Sequence, residues 1–197
     1  MNADKNEDVY QQLKDYVRRH IQADDALIDL FCSRFHLKIT KRNELLLQAG
    51  EVNPNMYFVN TGCLRVYMLD EQGRESTRFL VFEGRFGTAF PSFTLQEPSL
   101  AYIQSLEPSE LLYISRKDFC ELFDIIPGWE RAYRINLEQD YIDSIKRIES
   151  LITMDALERY SMLMDNSATL IQRLPSKIIA DYLGVSQETL SRLKSKK

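Results

Sequence analysis

The sequence predicts an α+β protein in which a β sandwich or roll is followed by a long helix and then by a helix-turn-helix. Three observations predict it. Between residues 35 and 114, short apolar runs alternate with turn residues, as in folds built from many brief strands. From residue 129 to 152, apolar side chains recur at helical spacing. From Pro175 onwards, two short amphipathic segments flank Gly184.

Taken in order, residues 7–21 carry Val9, Leu13, Tyr16 and Val17 at helical spacing. Asp24 or Asp25 is placed to cap a second helix bearing Leu27, Ile28, Leu30 and Phe31. Expected strands are 35–40, 44–48, 56–60, 63–69, 75–82, 101–106 and 110–114. Between them lie Ala49-Gly50, Asn53-Pro54-Asn55, Thr61-Gly62, Asp70 to Gly73, Glu83-Gly84 and Glu107-Pro108-Ser109, all turn chemistry. Helix and strand do not alternate, so a doubly wound sheet is excluded. A short helix is expected at 117–123, ending before Pro127-Gly128.

The long helix over 129–152 would span about 36 Å. Its apolar row is Trp129, Tyr133, Leu137, Tyr141, Ile145, Ile148 and Ile152, widened by Ala132, Ile135 and Ile142. A helix of that length between two domains needs a partner along it. Its own copy in a dimer is the simplest, and packing on its own β domain is the alternative. A further helix follows at 154–164, with Asn166-Ser167-Ala168 as a link. The expected domains are 1–126, the β roll with flanking helices; 127–152, the dimerisation helix; and 153–197, the helix-turn-helix.

Pro175 suits a first helical position. Ile178, Ile179 and Leu183 form one apolar stripe, and Gly184 is free to take the left-handed conformation that ends a helix. Ser186 is placed to cap the next helix, with Glu188 near the positive end of its dipole. Leu190 and Leu193 turn inward. Gln187, Glu188, Ser191, Arg192 and Ser195 remain outside, on the helix that would enter a DNA major groove.

Charge distribution points the same way. The 197-residue chain carries a net −4 with 44% hydrophobic residues, enough for a core. Residues 173–197 hold six basic and two acidic side chains, so this end is +4 and the remainder −8. Cys32, Cys63 and Cys120 stand far apart with no metal or redox spacing, as in a protein of a reducing compartment. The N-terminus does not read as a signal peptide and no apolar run approaches membrane-spanning length, so a soluble cytoplasmic protein with no membrane partner is expected.

The segment Ile179-Ala180-x-x-Leu183-Gly184-Val185-Ser186-x-Glu188-Thr189-Leu190-Ser191-Arg192 resembles the recognition signature of the Crp-Fnr family of bacterial transcription regulators. Leu47-x-Ala49-Gly50-Glu51 and Tyr57-Phe58-Val59-x-x-Gly62-x-Leu64-Arg65 are similar to the turns of that family's cyclic-nucleotide-binding β roll. The resemblance covers nearly the whole chain. It implies a double-stranded β-helix (jelly-roll) sensor domain, a homodimer, double-stranded DNA of near-palindromic sequence as partner, and RNA polymerase as a further one. It also implies DNA contacts from Ser176, Lys177, Ser186, Gln187, Glu188, Thr189, Ser191, Arg192, Lys194 and Lys196. Independently of family, Arg bonds guanine in two places and Glu accepts from cytosine. Residues four apart share a helical face, so Glu188 and Arg192 would reach one groove; an ordinary exposed ion pair is the alternative. Gln187 stands where the family often has Arg, and would suit adenine.

The effector region departs from the family's cAMP-binding members. Their Phe-Gly-Glu turn is Phe86-Gly87-Thr88 here, and their later Arg-Ser is replaced by Pro98-Ser99-Leu100-Ala101. A buried phosphate without a cation is costly, so cAMP is not expected to bind in the usual way. The candidate pocket consists of Phe86, Gly87, Thr88, Phe90, Ser99, Leu100, Ala101 and Tyr102. Either an unidentified, less polar effector enters it, or its aromatic side chains fill it.

No cofactor is expected. An iron–sulfur cluster needs about four clustered cysteines; haem would need an axial ligand, and the only His residues are His20 and His36. A metal-dependent β-barrel enzyme would need several converging ligands, and no nucleophile–base arrangement is present, so catalysis is rejected. The reading is a sequence-specific regulator. The alternative is a small-molecule-binding β roll whose helical tail makes only protein contacts.

Overall fold

The computed structural model describes residues 8–195, with the backbone only over 166–171. Lys196, one of the expected DNA contacts, lies outside the described residues. The chain divides into two compact units. The first comprises the residues up to Val66 together with Leu80–Arg134; the second comprises Tyr67–Phe79 and the residues from Ile135 onwards.

The first unit opens with helices α1 (Gln11–His20) and α2 (Asp25–Cys32). Asp24 is the α2 cap, its carboxylate accepting from the Leu27 N–H at 2.8 Å. Eight antiparallel strands follow among the described residues, the end of β4 and most of β5 falling in the second unit: β1 (His36–Thr40), β2 (Leu45–Leu47), β3 (Asn55–Thr61), β4 (Leu64–Leu69), β5 (Glu75–Val81), β6 (Phe86–Gly87), β7 (Ala101–Ser105) and β8 (Ser109–Ser115). They make two four-stranded sheets, β1-β8-β3-β6 and β2-β7-β4-β5. In the first, β8 lies between β1 and β3, with Leu112 opposite both Leu37 and Phe58. Alternate residues of β3 and β8 thereby reach one face, and Met56, Phe58, Leu112 and Ile114 enter the core.

That core is aromatic. The rings of Phe31 and Phe35 meet at a tilt, 5.2 Å apart, and the Trp129 ring meets Phe31 edge-on at 4.8 Å. Cys32 and Cys63 are buried free thiols, and burial pushes the Cys32 thiol up to about 12. Helix α3 (Phe90–Leu95) and the two-residue β6 were not expected from the sequence. Helix α4 (Arg116–Ile125) is capped by Ser115, whose Oγ accepts from the Asp118 N–H at 3.1 Å.

Helix α5 (Trp129–Thr153) begins in the first unit and continues in the second. Its opening residues correct the expected dimer row. Trp129 is 1% exposed, and the Tyr133 ring meets that of Phe119 at 5.1 Å, so both belong to the aromatic core of their own unit. The Pro127-Gly128 turn starts the helix against the core, and burial there outweighs continuation of the stripe. Farther along, Leu137, Tyr141, Ile142, Ile148 and Ile152 are exposed in the single chain, and Ile145 is half-buried.

The second unit continues with α6 (Ala156–Ile171), α7 (Ser176–Leu183) and α8 (Gln187–Ser195). The link expected at 166–168 is instead helical, because neither a glycine nor a proline interrupts the segment. Pro175 precedes α7 rather than opening it. Its ψ is 139°, and its carbonyl accepts from the Ile178 and Ile179 N–H groups, so it serves as the cap residue.

Candidate nucleic-acid interface and effector region

Local chemistry builds the exposed face of α8. Gly184 ends α7 at φ 68°, a conformation costly for a side chain bearing Cβ. Ser186 then caps α8, its Oγ accepting from the Thr189 N–H at 3.1 Å. Ile178, Ile179, Ala180, Leu183, Leu190 and Leu193 are buried between the two helices and their surroundings. Their burial fixes the rotation of α8, leaving Gln187, Glu188, Ser191, Arg192 and Ser195 exposed and Thr189 half-buried.

On that face Arg192 Nη2 donates to Glu188 Oε1 at 2.8 Å. The two side chains are 68% and 79% exposed, so the pair is open to exchange with another partner. Lys194 Nζ donates to Ser176 Oγ at 3.0 Å, bringing a cation of α8 to the start of α7. Ser176, Lys177 and Lys194 are all exposed, beside the positive end of the α7 dipole.

The sequence reading missed two arginines that brace this motif. Arg147 Nη1 donates to the Tyr182 carbonyl at 2.6 Å, and Arg159 Nε donates to the Leu183 carbonyl at 3.0 Å. Both satisfy carbonyls at the C-terminus of α7, where cations are favoured. The Arg147 guanidinium also lies 3.9 Å over the Tyr182 ring, and burial lowers its pKa from the usual arginine value. The only sequence signal was an arginine set among apolar α5 positions.

The effector candidates differ in their surroundings. Phe86 is half-buried and packs against the core, on Tyr16, Phe35, Phe58 and Trp129, with ring centroids between 5.0 and 6.2 Å. Gly87 lies against Val81, where an added Cβ would come within 2.6 Å of Cγ2. Thr88 Oγ1 accepts from Asn53 Nδ2 at 2.6 Å and donates to the Asn55 carbonyl at 2.9 Å. Ser99 Oγ donates to the Ala101 carbonyl and accepts from the Ala101 N–H, both near 3 Å. Phe90 and Leu100 are exposed, whereas Ala101 and Tyr102 are half-buried.

Asn53, which the sequence reading did not single out, ties this region together. It is fully buried, and its N–H donates to Ser92 Oγ at 2.9 Å. Arg116 donates to the Phe93 and Thr94 carbonyls at 2.9 and 3.1 Å, closing the end of α3. These polar groups and this nearby cation are therefore engaged within the chain. Among the described residues, no cluster of His, Cys, Asp or Glu has metal-binding geometry, and no helix is long and apolar enough to cross a membrane.

Residues 37–125 match the cyclic nucleotide-binding domain family. Over 179 residues the chain is 22% identical to the cAMP-activated global transcriptional regulator CRP of Pasteurella multocida, with 86% of each protein covered. Its fold is similar to that of CLP, a c-di-GMP responsive global regulator from Xanthomonas campestris (TM-score 0.72, 18% identity, 88% of this chain and 91% of that one). It is also similar to FixK2 from Bradyrhizobium japonicum (TM-score 0.72, 17% identity, 82% and 83%). By that match residues 37–125 form a domain of the cyclic nucleotide-binding family, and over most of its length the chain is homologous to transcription regulators of the Crp-Fnr family.

Proposed function

We propose that this chain is a sequence-specific DNA-binding transcription regulator that acts in the cytoplasm as a homodimer on a near-palindromic site. The observation that carries it is the exposed face of α8. Leu190 and Leu193 anchor the helix while Gln187, Glu188, Ser191 and Arg192 are left exposed, and among the described residues Glu188 and Arg192 pair with each other. Glu188 and Arg192 would read base edges, and Ser176, Lys177 and Lys194 would hold phosphates.

The apolar residues exposed along α5 support the dimer, because Tyr141 at 66% and Ile152 at 77% exposure are poor surface residues on an isolated helix. In a dimer the two copies of α8 would meet major grooves about 34 Å apart. Any small-molecule control would come from a ligand other than cAMP, since the polar groups around α3 are engaged within the chain.

Binding selection from a random-sequence duplex library tests the reading. The expected product is an enriched motif with two inverted half-sites. Enrichment of no motif would sink the proposal, and a single half-site would remove the dimer from it.

A further inference from the structure

An edge strand leaves one row of backbone N–H and C=O groups without a strand partner, and folded proteins cover such rows by other means. Strand β5 is an edge, and its Thr77 is fully buried within the second unit. The Thr77 N–H donates to Asp181 Oδ2 of α7 at 2.7 Å. Its carbonyl accepts from Arg147 Nη2 at 2.9 Å, while the other arm of that guanidinium holds the Tyr182 carbonyl. The β4–β5 end is thus clipped through one residue to the first helix of the helix-turn-helix. Two residues before the clip, Glu75 reaches the first turn of α7, with Oε2 at 3.4 Å from Lys177 Nζ.

The start of α7 favours an anion. Its leading N–H groups and dipole are positive, and Ser176 and Lys177 add a hydroxyl and an ammonium. On DNA that anion would be a phosphate. In the free chain the β5 strand supplies a carboxylate instead. The ammonium meets anionic oxygens in either case, and holding both at once brings two like charges together. Thr77 Oγ1 has no hydrogen-bond partner among the described residues, so the closed clip retains an unsatisfied buried group and is not built for maximal stability.

Resting on the DNA-binding reading, we propose that Glu75 is a built-in competitor for a DNA phosphate at Lys177. The clip at Thr77 holds the competitor in place, and its release raises affinity for DNA.

The test titrates the full chain with a random-sequence duplex at low salt. Glu75→Gln is expected to bind about threefold tighter than the unmodified protein, the range of a partly exposed ion pair. In a Lys177→Gln background the same change is expected to have no effect. An equal gain in both backgrounds would show a general charge effect and overturn the proposal, as would weaker binding by Glu75→Gln. Acetylation of Lys177 by acetic anhydride, read by mass spectrometry, gives a measure independent of DNA. It is expected to be faster in Glu75→Gln, and equal rates would mean that the pair does not form. Faster acetylation with no duplex binding by any variant would instead refute the DNA-binding reading, and the competitor with it.

Discussion

The segment around α3 and the outer face of α8 are both rich in polar side chains, and they use them in opposite ways. Around α3, Asn53, Thr88, Ser92 and Ser99 bond to one another or to nearby backbone, and Phe86 packs on the rings of Tyr16, Phe35, Phe58 and Trp129. On α8, Gln187, Glu188, Ser191 and Arg192 are exposed, and the bond that joins two of them closes a single helical turn. Polar groups satisfied inside a fold specify its shape, whereas groups held at its surface by a buried apolar stripe are available to something else. The polar groups around α3 are thus engaged within the chain, while those of α8 remain exposed.

The largest effect that could break this contrast comes from Phe86. If the ring is core, Phe86→Ala should cost about 3 kcal/mol. For a chain of this size that lowers Tm by roughly 6–12 °C, which thermal unfolding by circular dichroism would measure. A loss below about 1 kcal/mol would mean that Phe86 lines an open pocket instead, since a side chain beside a cavity gives up little packing.

Arg192→Ala acts on the other region and should leave Tm nearly unchanged, because the side chain is exposed. Discrimination between the selected duplex and one altered at a single base pair should fall by about 1–3 kcal/mol, or roughly five- to 150-fold. Competition binding with the two duplexes separates the possible roles. A uniform loss on both would make Arg192 a phosphate contact rather than a reader of bases.

The two regions also differed in how far the sequence revealed them. Everything that forms the reading face acts over a few residues: Gly184 ends one helix, Ser186 caps the next, and Leu190 and Leu193 set its rotation. Such short-range patterns are written consecutively and can be read. Helix α3 is six residues long and contains Pro91, and what holds it comes from Asn53 and Arg116, far away in the chain. The same limit explains Trp129 and Tyr133. They continue the α5 stripe perfectly well in sequence, but Phe31 and Phe119, which claim them, are visible only once the chain has folded. The clip joining Thr77 to Asp181 spans 104 positions and left no local pattern at all.

The smallest expected effect is also the most direct probe of the contrast. Millimolar cAMP should leave Tm unchanged in differential scanning fluorimetry. A ligand at a hundred times its Kd stabilises the folded state by about 2.7 kcal/mol, which in a chain of this size would raise Tm by roughly 5–11 °C. No such rise is expected, because a cyclic phosphate needs a cation and the arginine beside α3 is already holding the Phe93 and Thr94 carbonyls. Were cAMP to raise Tm by several degrees, Arg116 would have to release those carbonyls or Phe86 would have to leave the core, and the α3 region would be a sensor after all. Repeating the titration with Arg116→Gln decides between the two routes: loss of the shift would assign the phosphate to Arg116, and its persistence would point to displacement of Phe86.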